Sequence, residues 1–367
     1  MKRTWVPDQA WTGEWTVPAV LRRPVTDRER AALVSMSCSG FGPKRLANVL
    51  ADADGIECHA EGGAKVWREA AMGVRRIGLR ALVPSDAEYP EELAAIDAAP
   101  LLLFARGAPL DELRPMVAVV GARACTSGAA RFARRLGDAF ASAGFTVVSG
   151  LARGIDAAAH RGALEAGRTV AVLGSGIDVC YPPEHRKLLD EVAANGALVS
   201  EFPPGVGPRA WHFPARNRII SGLSCAVVVV EAGMRSGALI TAGFGLDHGR
   251  HVLACITGPE NPAGAGVRAM LLDGATLVVD HEQAVDVLTD LVADQGFAFG
   301  VPVPRAERAL ELSPELRAVY DAVTEDVTTD EIAAAAELDP RRVSAALAEL
   351  ELEGVLEVRA GRWRRKD

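Results

Sequence analysis

The chain has 367 residues, of which 49% are hydrophobic and 5% aromatic, and its formal net charge at pH 7 is −8. This length and composition predict a globular protein of two or three domains. The apolar runs are far shorter than a membrane span and the first residues lack the apolar core of a signal peptide, which excludes a membrane protein and predicts a cytoplasmic one. The six cysteines show neither a CxxC pair nor metal-ligand spacing, so we expect reduced thiols and no metal.

Residues 1–25 form an N-terminal extension, and residues 26–80 form a small helical domain that contains SGFGPKRLANVL. In that segment Gly40 and Gly42 precede a proline helix start with Lys44 and Arg45 in its first turn. The pattern is typical of a helix-hairpin-helix element, whose backbone amides meet a DNA phosphate. An ordinary interhelical turn explains it equally well. Residues 81–116 are assigned to a connector.

Residues 117–283 form the core, in which short β-rich runs alternate with helical stretches. Such alternation predicts an α/β fold with a doubly wound, mostly parallel sheet. Ligands of these sheets lie outside the carboxyl ends of the strands, where this sequence concentrates glycine and arginine. The phosphate-binding site is therefore expected there.

Glycine turns follow several of these strands, but none has the dinucleotide-binding pattern. After TVAVL the chain reads Gly174, Ser175, Gly176, and then Val179 stands where GxGxxG needs its third glycine. A P-loop is absent from the sequence as well. Separate glycine turns that each open a helix suit either several phosphates along a polymer or one large nucleotide.

The segment FPARNRIISGLS, residues 213–224, carries two arginines beside a predicted helix start. Pro214 favours the first turn of a helix, whose free N–H groups attract anions. Arg216 and Arg218 add forked donors that match phosphate oxygens. Ion pairs with carboxylates are the alternative, and Arg218 in particular would pair with Glu231.

Residues 284–306 form a linker, and residues 307–367 are predicted to be a winged helix of three helices and a hairpin. Thr328 and Glu331 have the spacing of a capping box, and the hairpin turn falls at residues 360–361. Most of this segment is strongly acidic, which favours a protein contact over duplex reading. Trp363 is interpreted as wing packing, and the basic tail from Arg359 onward is a weaker candidate for DNA contact.

Seven segments in order resemble the DprA/Smf family of DNA-processing proteins. They are GAR at 121, SGLARGIDAAAH at 149, TVAVLGSGIDVCYPPEH at 169, LVSEFPPG at 198, FPARNRIISGLS at 213, VVVEAGMRSGALITAG at 228 and GR at 249. The resemblance implies a Rossmann-like core that binds single-stranded DNA, forms homodimers and helps to load the RecA recombinase. It also implies a SAM-like domain at 26–80.

The leading hypothesis is a non-enzymatic binder of single-stranded DNA without a cofactor. The alternative is a nucleotide hydrolase of the phosphoribohydrolase-like group, with Glu231 as its acid or base. The histidines lack metal-site spacing and are interpreted as structural. The candidate DNA-binding residues are Gly121, Arg123, Gly150, Arg153, Gly174, Lys187, Arg216, Asn217, Arg218, Arg235, Ser236 and Gly237.

Overall fold

The structure is a computed structural model that describes part of the chain. The described residues are 21, 24–26, 30, 33–34, 36–37, 78–255, 261–293, 314–323, 327–336, 338–352, 356–359 and 362–365. The chain divides into two compact units, residues 1–303 and residues 304–367. The candidate helix-hairpin-helix element at residues 40–45 lies outside the described residues, as do most of the N-terminal extension and residues 294–306 of the predicted linker. Residues 284–293, which were also assigned to the linker, instead belong to a helix that packs in the core of the first unit. Of the helices described, none has the length and apolar character needed to cross a membrane.

The first unit is built on a nine-stranded sheet, in which both faces are covered. Its strands are β1 (Arg80–Leu82), β2 (Leu103–Gly107), β3 (Met116–Val120), β4 (Thr146–Ser149), β5 (Thr169–Val172), β6 (Ala197–Ser200), β7 (Ala226–Val229), β8 (His251–Cys255) and β9 (Thr276–Val278). Their spatial order is β1-β2-β6-β5-β4-β3-β7-β8-β9. The pairs from β6 through β9 are all parallel, which confirms the predicted doubly wound sheet.

The helices of this unit pack on the sheet in two layers. Those whose bounds the structure describes are α1 (Glu91–Ala94), α2 (Ser127–Ser142), α3 (Ile155–Ala166), α4 (Arg186–Asn195), α5 (His212–Gly222), α6 (Gly237–Asp247), α7 (Ala265–Leu272) and α8 (His281–Ala293). Side chains alternate between the faces of each strand. Val117 and Val119 accordingly pack with α2, α3 and α8, whereas Ala118 and Val120 pack with α5, α6 and α7. Burial on both faces explains why these strands are almost continuously apolar.

Residues 81–116, which the sequence analysis assigned to a connector, contribute to the sheet itself. Strand β2 pairs antiparallel with β6, and β1 pairs antiparallel with β2. The sheet thus gains two strands beyond the parallel core. These strands are short and lie before the regular alternation begins, so the pattern of the sequence does not reveal them.

The described part of the second unit has three helices and a two-stranded sheet, the predicted order of a winged helix. Its elements are α9 (Pro314–Ala322), α10 (Thr329–Ala336), α11 (Pro340–Leu352), β10 (Leu356–Arg359) and β11 (Arg362–Arg365). Their apolar faces form one separate core.

Two local predictions for this unit are confirmed. Glu331 accepts hydrogen bonds from the backbone N–H and the hydroxyl of Thr328, as in a capping box. Trp363 packs on the core and its indole N–H donates to Thr329 Oγ1 at 3.1 Å, so it holds the wing in place. The predicted turn at residues 360–361 lies outside the described residues.

Candidate nucleic-acid interface

An open cleft of about 1030 Å³ lies at the carboxyl ends of β3 and β7. The chain leaves β3 towards β4 on one side, while β7 lies on the other side, so this is the point where the strand order reverses. Ligand sites of open α/β sheets form at such points. The lining comes from the loops at 120–124, 208–210, 233–238 and 262–265, from Ala152, Asp156 and Tyr181, and from one face of α5 and the first turns of α6.

The cleft is positively charged. Four arginines line it, namely Arg123, Arg209, Arg216 and Arg235. Among the described lining residues, Asp156 is the single carboxylate. Arg123, Arg209 and Arg235 are exposed, and none of the three forms an ion pair with another described residue. Their guanidinium groups are therefore available to an anionic ligand.

Arg216 forms part of the floor rather than the rim. It is 4% exposed, and its Nη1 donates to the carbonyl oxygens of Gly150, at 2.8 Å, and of Val172. Burial lowers the pKa of Arg216 to about 10, while the carboxylate of Asp156 opposes the shift. The group stays protonated at neutral pH, so it contributes a fixed positive charge to the floor of the cleft.

Arg218 has a structural role instead. It is 1% exposed, its Nη2 donates to Glu201 Oε1 at 2.6 Å, and its Nε donates to the carbonyl of Ala98 at 2.9 Å. The expectation that it contacts phosphate is not supported by this position, and the alternative pairing with Glu231 is wrong because the partner is Glu201. Residues two apart on a helix point in different directions, which separates Arg216 from Arg218.

The first turn of α6 faces the cleft. Ser236 caps the helix, with its hydroxyl accepting from the N–H of Ala238 at 3.3 Å, and Gly237 is exposed at its start. Asn217 is almost buried, and its side-chain amide donates to the carbonyl of Gly237 at 3.1 Å. Asn217 therefore positions this turn, and the free N–H groups at the start of a helix favour an anion.

Three predicted glycines allow close approaches around the floor. A Cβ on Gly150 would lie 2.3 Å from the guanidinium of Arg216, and a Cβ on Gly174 would lie 2.8 Å from the ring of Phe213. Gly121 lines the cleft directly. Gly150 and Gly174 thus act by leaving room for α5 side chains rather than by touching the ligand.

The SGLARGID loop, residues 149–156, is held by a buried network. Asp156 accepts from the N–H groups of Gly150, at 3.2 Å, and Ala152, at 3.4 Å. Leu151 has a left-handed φ of 56° and donates its N–H to His160 Nε2 at 3.3 Å, while its carbonyl accepts from His185 Nδ1 at 2.9 Å. These interactions fix the loop whose Gly150 carbonyl accepts the hydrogen bond from Arg216.

Two titration shifts accompany this network. Burial raises the pKa of the Asp156 carboxyl, an effect that Arg216 opposes. Burial, aided by Arg216, lowers the pKa of His160 to about 3. The hydroxyl of Thr169 donates to the carbonyl of Val147 at 2.6 Å and accepts from His160 Nδ1 at 2.7 Å, so His160 is neutral with its proton on Nδ1. The structural interpretation of this histidine is confirmed.

Two predicted cations lie outside the lining of the cleft. Arg153 is exposed and pairs with Glu184 at 2.5 Å. Lys187 extends from α4 into solvent and lies 3.6 Å from Glu191. The structure therefore does not bring these two side chains together with Arg123 and Arg235.

An apolar wall that the sequence analysis missed faces the arginines. The rings of Tyr181 and Phe213 are 5.3 Å apart, and the guanidinium of Arg123 lies over Phe213 at 5.0 Å. Met234 is exposed on the β7 loop, and Arg209 was missed as well. Phe213 lies in the same segment as Arg216, residues 213–224. The attention already given to that segment is the signal that could have identified this ring.

Glu231 lies beneath the cleft and is 1% exposed. Its Oε1 accepts from the N–H of Thr126 and its Oε2 from the Thr126 hydroxyl, both at 2.9 Å, and Oε2 also accepts from Asn261 Nδ2 at 3.2 Å. Both oxygens are thus engaged in joining the loop after β3 to that after β8. This is the role of a structural acceptor for loop amides.

The family is decided by two matches along the chain. Residues 80–289 match the model described as DNA recombination-mediator protein A, and residues 303–362 match the DprA winged helix domain. The chain belongs to the DprA/Smf family. The resemblance inferred from the seven motifs is confirmed.

Curated DprA and Smf proteins align over most of the chain. A putative DNA processing protein DprA of Mycobacterium tuberculosis is 42% identical over 310 residues, which are 79% of this chain and 77% of that protein. Protein Smf of Synechocystis is 37% identical over 318 residues, or 78% and 80% of the two chains.

Two solved DprA structures share the fold. DprA from Streptococcus pneumoniae has a TM-score of 0.61 and 33% identity, and the match covers 71% of this chain and 98% of that one. DprA from Helicobacter pylori, whose structure is described as showing a single-stranded DNA binding mode, has a TM-score of 0.53 and 25% identity, with 58% and 96% covered.

Proposed function

We propose that the protein binds single-stranded DNA in the cleft at the carboxyl ends of β3 and β7. The observation that carries this proposal is the set of three exposed arginines, Arg123, Arg209 and Arg235, around one opening whose described lining has Asp156, which is buried, as its one carboxylate. Guanidinium groups bind phosphate oxygens through paired hydrogen bonds. The single-stranded DNA binding mode described for DprA from Helicobacter pylori supports the same assignment.

A single strand suits the cleft better than a duplex because cations and aromatic rings share one opening. Tyr181 and Phe213 lie beside the arginines and form a wall on which an unstacked base would lie. Base stacking on aromatic rings together with a cationic track is the usual means of sequence-tolerant single-strand binding. A duplex keeps its bases stacked internally, so it would use the arginines but not this wall.

A binding role also fits the position of Glu231. A hydrolase would require this carboxylate to reach the ligand, yet its oxygens accept from Thr126 and Asn261 below the cleft. Asp156, the carboxylate of the described lining, accepts hydrogen bonds from two loop amides. We therefore propose that the cleft holds DNA without catalysing a reaction on it.

We further propose that the protein acts in the cytoplasm as a homodimer that delivers single strands to the RecA recombinase, as the family resemblance implies. Support for self-association comes from the edge strand β9, where Leu277 is 41% and the following Val279 50% exposed, and from Leu272 at the end of α7, which is 90% exposed. Apolar side chains at such an edge favour burial against a partner. Sedimentation of wild type and Leu272→Glu tests the dimer, which the substitution should weaken.

The winged-helix unit is proposed to contact protein rather than duplex DNA. Its exposed carboxylates include Asp321, Asp330, Glu331 and Asp339, which would repel a phosphate backbone. Arg365 donates to the carbonyls of Tyr320 and Asp321 at 3.1 Å and stacks over the Tyr320 ring, so the wing uses this cation internally. Removing residues 304–367 should leave single-strand binding by the first unit intact.

Titration of the full-length protein into labelled single- and double-stranded oligonucleotides of one sequence tests the proposal. Tight binding of the single strand, with much weaker binding of the duplex, is expected. Equal affinity for both would remove the role given to Tyr181 and Phe213, and absence of binding at low salt would overturn the proposal entirely.

A further inference from the structure

The outer face of α2 carries an arginine pair that the cleft does not use. Arg131 and Arg135 are exposed and stand one helical turn apart, whereas Leu136 and Phe140 face the core. Neither arginine forms an ion pair with any residue in the described part of the chain. Both charges are therefore directed into solvent.

The neighbours of this pair leave it positive. On α2 itself the one carboxylate is Asp138, which is half-buried, and Arg134 is engaged with Glu165 of α3. Helix α3 packs against α2 and adds an exposed cation, Arg161. The exposed charges on this part of the surface are thus mainly positive.

Helix α8 bounds the pair on its other side and has the opposite charge. Ala284 and Leu288 of α8 pack in the same core cluster as Leu136 and Phe140 of α2. Its solvent face carries exposed carboxylates at Glu282, Asp286 and Asp290. A polyanion that lies on α2 would consequently be repelled from the α8 side and kept on the arginine side.

The pair is continuous with the cleft along the chain. The lining loop runs from Val120 to Ala124, Thr126 caps α2, and the helix begins at Ser127. At about 1.5 Å of rise per residue, Arg131 stands about 6 Å beyond the helix start and Arg135 about 6 Å further. Arg123 at the cleft rim is thus followed along the chain by two more exposed cations on α2.

We propose that a single strand leaving the cleft past Arg123 continues along α2, where Arg131 and Arg135 bind further phosphates. This inference rests on the proposed function, since the strand must first occupy the cleft. It adds a surface track that lengthens the site. The track makes affinity depend on strand length, because a short oligonucleotide fills the cleft without reaching α2.

The test compares two oligothymidylates, of about 6 and about 16 nucleotides, in salt titrations. The variant Arg131→Ala/Arg135→Ala should bind the long strand about tenfold more weakly, since each exposed ion pair contributes up to about a factor of five in affinity. The salt slope for this strand should fall by about 1.4, or about 0.7 for each phosphate that the variant no longer binds. Affinity for the short strand should not change.

A matched control removes the same charge from the opposite end of the sheet. Arg106 lies on β2 and Arg168 directly before β5, both at the amino ends of the parallel strands. Arg106→Ala/Arg168→Ala should bind both strands nearly as wild type does. If this control loses as much affinity for the long strand as the α2 variant does, net charge explains the effect and the proposed track is wrong.

The remaining outcomes separate the track from the cleft. Unchanged affinity of the α2 variant for the long strand would overturn the track and leave the cleft assignment standing. Failure of wild type to bind either strand would instead overturn the proposed function. Equal loss for both lengths would place Arg131 and Arg135 within the primary site and contradict the track as a separate surface.

Discussion

Arg216 and Gly150 are joined by a hydrogen bond of 2.8 Å between the guanidinium Nη1 and the carbonyl oxygen. The bond ties α5 to the loop after β4, two segments that are 66 residues apart. Gly150 in turn donates its N–H to Asp156. The guanidinium of Arg216 is therefore held by the carbonyl of Gly150, and Gly150 is itself held by Asp156.

Gly150→Ala should weaken single-strand binding because the new Cβ would lie 2.3 Å from the Arg216 guanidinium and displace it. We expect an affinity loss of about tenfold together with a loss of stability of about 1–3 kcal/mol from overpacking. Anisotropy titrations and urea unfolding measure the two effects. Gly128→Ala is the control, since its Cβ meets no described atom within 4 Å. Wild-type affinity in Gly150→Ala would contradict the role of this hydrogen bond.

Arg218→Ala should destabilise the first unit by about 3–5 kcal/mol, because it leaves the carboxylate of Glu201 buried without its partner. The paired change Arg218→Met/Glu201→Leu should recover much of this loss. Urea unfolding of the three proteins measures it. Arg134→Ala, which breaks an exposed pair with Glu165, should change the free energy of unfolding by less than about 1 kcal/mol. A similarly small effect of Arg218→Ala would show that the pair is not a structural element.

The stability of the first unit should fall as the pH is lowered from about 6.5 towards 3. The pKa of His160 is lowered to about 3 in the folded state, so between these pH values the unfolded chain binds a proton that the folded chain does not. The free energy of unfolding loses about 1.4 kcal/mol per pH unit from this group. It is unaffected by His160 above pH 6.5.

His160→Gln isolates this contribution from those of other groups. The difference between the unfolding free energies of wild type and variant should shrink as the pH falls through this window. Parallel pH profiles for the two proteins would mean that folding does not lower the pKa of His160, so that it would be protonated in this window in the folded state. That result would contradict the neutral tautomer assigned from Thr169 and Leu151.

Glu231→Gln should destabilise the loop after β3 by about 1–3 kcal/mol, because an amide N–H₂ replaces one of the oxygens that accept from Thr126. Thr126→Ser, which retains the hydroxyl, is the matched control with a smaller effect. Incubation with nucleoside monophosphates gives a second measurement. Release of the base by wild type and its loss in Glu231→Gln would establish a catalytic carboxylate and contradict the binding role.

The elements of the core were predictable because their signals are local. The runs MVAVV and AVVVVEA report burial on both faces, and the glycine turns mark the carboxyl ends where the cleft lies. The anion-binding expectation for residues 213–224 led to the correct helix, which begins at His212.

The different positions of Arg216, on the floor of the cleft, and Arg218, in a buried ion pair, depend on residues distant in sequence. Glu201 and Ala98 hold Arg218, and nothing in the local sequence names either partner. The helical period does separate residues two apart, so the two arginines do not face one ligand. Arg209 and Tyr181 come from irregular loops, whose positions follow from the assembled sheet and not from periodicity.

In the proposed function, Arg123 and Arg235 bind phosphates of a single strand in the cleft. The most direct measurement is a salt titration of a short labelled oligothymidylate with wild type and Arg123→Ala/Arg235→Ala. The variant should bind more weakly, and its slope of log affinity against log salt should be smaller by about 1.4, or about 0.7 for each phosphate left unbound. An unchanged affinity and slope in a folded variant would contradict this function.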